Sequence, residues 1–111
     1  MLTITCFVTT PDLLPVITSQ VQAIRGVIAG SYQVPITEVH LRVINNIDVR
    51  NSNFSPVAIE VWPQTQLTQP VVYADQVRDR LARAVPELHK TTFDVVLQLT
   101  ATTHPFARHT A

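Results

Sequence analysis

Leu2-Thr3-Ile4-Thr5-Cys6-Phe7-Val8, followed directly by Thr9-Thr10-Pro11-Asp12, is the stretch on which the fold turns. Leu2, Ile4, Cys6 and Val8 fall on one side of an extended chain and Thr3, Thr5 and Phe7 on the other, and a period of two predicts a strand. The next four residues supply capping oxygen, a first-turn proline and an early carboxylate, the signals that start a helix. Leu14, Ile17, Val21, Ile24 and Ile28 then recur at helical spacing. One amphipathic helix is expected, with Pro15 tolerated in its first turn and Gly30 as its stop.

After the break at Val34-Pro35, Val39, Leu41 and Val43 alternate with His40, Arg42 and Ile44, a second strand that should end near Asn45-Asn46. Ile47 to Phe54 carry no period and read as a long connection. Pro56 to Trp62 is a third strand, with Val57, Ile59 and Val61 on one face and Ala58, Glu60 and Trp62 on the other. Pro63 to Gln69 is a polar link, and Thr68 or Gln69 can cap a second helix that buries Ala74, Val77, Leu81 and Val85. On its exposed side Asp75 is spaced to meet Arg78, and Asp79 to meet Arg83. Pro86 should end or distort it. Phe93 to Thr100 is the last strand, with Phe93, Val95, Leu97 and Leu99 opposing Asp94, Val96, Gln98 and Thr100; the tail from Ala101 shows no period. The expected architecture is α+β, one domain over residues 1–111, built as tandem β-α-β units. A four-stranded sheet carries two helices on one face, and a ferredoxin-like domain, which shares the element order, is the runner-up.

Composition limits the function. Hydrophobic residues are 46% of the chain and charged ones 14%, which argues against disorder. Lys+Arg 8 balance Asp+Glu 8, so no basic excess exists for phosphates or an anionic membrane; neither nucleic acid nor membrane is an expected partner. Cys6 is the sole cysteine, which excludes an internal disulfide and every multi-cysteine zinc pattern and fits a reducing compartment. No basic leader precedes an apolar run, and no stretch approaches the ~20 apolar residues of a span, so a cytoplasmic location is expected. Gly26 and Gly30 are the only glycines, too few for a phosphate loop. His104 and His109 lack a third ligand. No metal and no cofactor are expected.

The strand face opposite the core is mixed: Phe7, Ile44, Trp62 and Val96 stand among His40, Arg42 and Glu60. Solvated sheet faces seldom combine such groups, so closure by further copies of the chain is expected. Arg42, Glu60 and Trp62 together suit an anionic ligand held over an aromatic wall. The plainer alternative pairs Arg42 with Glu60 across neighbouring strands or subunits and leaves Trp62 and His40 as interface packing.

The tandem order, the size and the segment Ser55-Pro56-Val57-Ala58-Ile59-Glu60-Val61-Trp62 resemble the tautomerase, or macrophage migration inhibitory factor, superfamily. The likeness is to a bacterial branch without the amino-terminal proline. Glu60 stands one position later than in that pattern, which moves it to the opposite sheet face. The resemblance implies a homotrimer with sheets inward and helices outward. It also implies a small carboxylated molecule bound at a subunit interface, near Met1, Leu2, His40, Arg42, Glu60 and Trp62. Catalysis in that superfamily uses the free secondary amine of an amino-terminal proline exposed by loss of the initiator methionine. Here position two is Leu2, which should leave Met1 in place, and every proline is an amide, so proline-dependent tautomerase activity is not expected. The alternative is an isomerase of keto-enol substrates with an altered base, the Met1 α-amine, whose ordinary pKa is about 8.

Overall fold

The computed structural model describes residues 2–45, 55–62, 72–98 and 105–111. Within them one mixed sheet has the order β2-β1-β3-β4-β5. Its strands are β1 (Leu2–Val8), β2 (Val39–Asn45), β3 (Val57–Trp62), β4 (Phe93–Leu97) and β5 (Phe106–His109). β1 and β2 are parallel, β3 and β4 are parallel, and β1 meets β3 antiparallel. Each β-α-β unit therefore keeps its two strands side by side, and the units join back to back through β1 and β3. A ferredoxin-like domain splits its β-α-β units with an intervening strand. Direct β1–β2 pairing rules that runner-up out.

The sheet has five strands where four were expected, because the aperiodic tail supplies β5, antiparallel to β4. Only Ala107 and His109 of its four residues lie on the helix side, too short an alternation to read. Tertiary pairing holds it. Asp94 is opposite Arg108, and Arg108 donates from Nε to Oδ1 at 2.7 Å and from Nη2 to Oδ2 at 3.1 Å. A buried carboxylate requires such a partner. On the other side the His109 ring sits 5.1 Å from that of Phe93, and its Nε2 lies 2.9 Å from the His89 carbonyl.

The helices are α1 (Leu14–Ser19), α2 (Val21–Tyr32), α3 (Ala74–Ala84) and α4 (Pro86–His89). The single first helix of the sequence reading is broken at Gln20, and the segments on either side diverge by 63°. Thr18 Oγ1 donates to the Leu14 carbonyl at 2.7 Å and Ser19 Oγ to that of Val16 at 2.6 Å, back-bonding that competes with the helical ladder just before the bend. Thr10 caps through its carbonyl, which accepts from the Leu13 N–H, and not through its hydroxyl. Gly30 does not stop α2; the helix runs two residues further, and Gln33 takes the left-handed conformation at φ 56°. In α3, Arg78 pairs with the adjacent Asp79 at 2.9 Å and not with Asp75, whose Oδ1 accepts from the Gln76 N–H. Pro86 acts as expected: α3 ends before it, and α4 restarts with it in the first turn. The caps proposed at Thr68 or Gln69, the 47–54 connection, Leu99, Thr100 and His104 lie outside the described residues.

One core lies between the sheet and the helices. Ile4, Cys6 and Val8 of β1, Ile59 of β3 and Phe93 and Val95 of β4 meet Ile17, Ile24, Ile28, Val77, Leu81 and Leu88, all with 0% exposure. Each large apolar side chain enclosed this way stabilises the fold by roughly 1.5–3 kcal/mol. Among the described residues no single helix is long and apolar enough to cross a membrane.

Candidate functional site

Strand register arranges the uncovered sheet face in ranks. Arg42, Thr5, Glu60, Val96 and Phe106 form one, and Ile44, Phe7, Ala58, Asp94 and Arg108 the next. His40, Thr3 and Trp62 begin a third. The register corrects one expectation. Arg42 and Glu60 are not on neighbouring strands, because β1 lies between β2 and β3. Two strand spacings put their backbones about 10 Å apart. Among the described residues neither joins an ion pair, and Thr5 between them is 3% exposed.

A depression of about 390 Å³ opens on these ranks. Short Thr3 and Thr5 line it together with the apolar side chains of Phe7, Ile44 and Trp62, and it carries Arg42 toward one side and Glu60 toward the other. Trp62 remains 48% exposed. A guanidinium without a carboxylate partner matches a ligand carboxylate in planar, two-point geometry, and an indole face covers an apolar or aromatic body. Glu60 disfavours a second negative charge on the same ligand.

The structure thus brings Arg42, Glu60 and Trp62 together. His40 is exposed in the adjoining rank and does not line the depression. Leu2 does not line the depression: it is 3% exposed, opposite Val39 on the helix-covered side, because it shares parity with Ile4 and Cys6. Met1 lies outside the described residues. Cys6 is fully enclosed, and burial pushes its thiol up from 9.0 to about 12, which removes it as a nucleophile near neutral pH. Among the described residues no group of three metal-ligating side chains forms, and His109 packs on Phe93 and His89.

A larger depression of about 440 Å³ lies on the helix layer, where Gly26 and Gly30 leave α2 without side chains. Its Arg80 donates from Nη1 to Ser31 Oγ at 3.0 Å, and its lining holds no aromatic side chain. The sheet face is the better site because its charges are placed against aromatic surface. Sequence reasoning missed Asp94 as part of this face's polar framework. The signal was present, since a lone carboxylate inside Phe93-Asp94-Val95-Val96-Leu97 requires a partner.

Compared with known proteins, the chain matches no family model and no curated sequence.

Proposed function

We propose that this chain is a subunit of a homo-oligomer, a trimer of tautomerase-superfamily type, whose uncovered sheet face turns inward. At the subunit boundary it binds a small carboxylated molecule through Arg42 and Trp62, without proline-dependent tautomerase activity. The observation that carries the reading is the company Arg42 keeps: a cation with no ion-pair partner among the described residues, beside Trp62 and Phe7, on a face that also exposes Phe106 at 61%. Apolar surface on that scale, mixed with placed charge, marks an interaction surface. The back-to-back β-α-β pairing agrees with the family resemblance of the Ser55–Trp62 segment.

Sedimentation velocity at micromolar concentration tests the assembly: a trimer is expected, and a stable monomer defeats it. Phenylpyruvate tests the site. Binding is expected, with a loss of about tenfold or more in Arg42→Ala, the scale of a charged hydrogen bond. Binding that ignores Arg42 removes the site. Enol-to-keto turnover of phenylpyruvate that disappears when the amino terminus is blocked replaces the binding reading with the isomerase that uses the Met1 amine.

A further inference from the structure

The depression on the uncovered face carries opposite charges on its two sides. Arg42 of β2 and Glu60 of β3 are both register partners of Thr5 on β1, so the three stand in one rank on one face. Both charged side chains line the same depression of about 390 Å³. Among the described residues neither joins an ion pair, with the other or with a third group. Glu60 is half-buried, and an anion partly withdrawn from water without a cation is at a disadvantage that a bound positive charge relieves.

Register also sets the span between the two charges. Side chains on a strand stand roughly perpendicular to the sheet, so the charged ends keep about the 10 Å that two strand spacings put between their backbones. A charged hydrogen bond at each end takes up about 2.8 Å. About 4–5 Å then remains for a ligand that touches both groups, the reach of an extended chain of about three methylenes. An α-amino acid carries its charges on a single carbon and is too short. Thr5 is 3% exposed, so a ligand joining the two sides lies over it. Trp62 follows Glu60 by two residues on the same strand and face, and its indole, 48% exposed, flanks the side of the depression where a cation is called for.

We propose that the ligand of this site is a zwitterion, an ω-amino carboxylate whose carboxylate meets Arg42 and whose ammonium, about three methylenes away, meets Glu60 beside Trp62. The inference rests on the carboxylate reading given above and adds the second charge to it; it needs no residue of another subunit.

Amide chemical-shift titration of the whole chain at pH 7 with 4-aminobutyrate tests it. Pentanoate, which replaces the ammonium by a methyl group at equal length, and glycine, which keeps both charges and loses the span, are the controls. Saturable shifts at Thr3, Thr5 and Glu60 are expected, with 4-aminobutyrate bound about tenfold or more tightly than either control, the scale of a charged hydrogen bond. Glu60→Gln should bring 4-aminobutyrate down to the level of pentanoate without weakening pentanoate, and Arg42→Ala should weaken both. If pentanoate or glycine binds as well as 4-aminobutyrate, the zwitterion is overturned while the carboxylate site stands. If 4-aminobutyrate ignores Arg42→Ala, or if no ligand saturates by about 100 mM, above the millimolar range expected of so small a molecule, the carboxylate site and the inference fall together. The comparison of ligands uses the unaltered protein, so it tests the proposal even if Glu60→Gln fails to fold.

Discussion

The two faces of the sheet carry similar apolar groups and opposite surroundings. On the helix side Phe93, Ile59 and Ile4 are fully enclosed, and the strands offer no ionisable group there except Cys6 and, at the edge, His109. On the other side Trp62 and Phe106 are 48% and 61% exposed, among Arg42, Glu60, Asp94, Arg108 and His40. Burial against helices of the same chain needs only area and fit, because the hydrophobic effect has no direction. Charges set at fixed register positions add direction, and direction is what recognition of a partner or ligand requires.

The contrast breaks most readily by removing core volume. Phe93→Ala should cost about 3–5 kcal/mol in chemical denaturation, because the ring is enclosed and the site cannot fully collapse. A loss below 1 kcal/mol would mean that the helix-covered side is not the chain's main source of stability.

Alkali attacks the same side through its thiol. The unfolded chain loses the Cys6 proton above about pH 9, whereas burial keeps the folded thiol protonated until about 12. Between those values the unfolded state binds fewer protons, so stability is full below pH 9 and falls by about 1.4 kcal/mol per pH unit as pH rises toward 12. The Tyr32 hydroxyl, also pushed up to about 12 by burial, steepens the fall above pH 10. Denaturation midpoints across this range check the slope, and Cys6→Ala should flatten it. An unchanged slope would show that Cys6 is not enclosed.

A smaller change sharpens the comparison from the cover itself. Gly30 lies inside α2 with open space where a Cβ would stand, so Gly30→Ala should raise stability by about 0.5–1 kcal/mol. Ligand binding on the far side of the sheet should not change, and titration of the variant reads both. The smallest effect on subunit stability should come from Trp62→Ala, about 0.5 kcal/mol when measured at dilutions where subunits are separate. The same substitution should shift sedimentation toward the monomer. A large stability loss without that shift would make Trp62 a packing residue of its own subunit.

By itself the sequence determined which side of each main strand meets the core. Period-two patterns located β1, β2, β3 and most of β4, helical spacing located the two covering segments, and the leftover positions identified the mixed face and all seven residues that line its larger depression. Side-chain parity is a local property, so it survives in the letters. Tertiary structure alone decided which strand lies beside which. Strand order places β1 between Arg42 and Glu60 and recruits Phe106–His109 through Arg108 and Asp94. Those neighbours are distant in the chain and are chosen by how the two β-α-β units dock, a global packing outcome that no window of consecutive residues records.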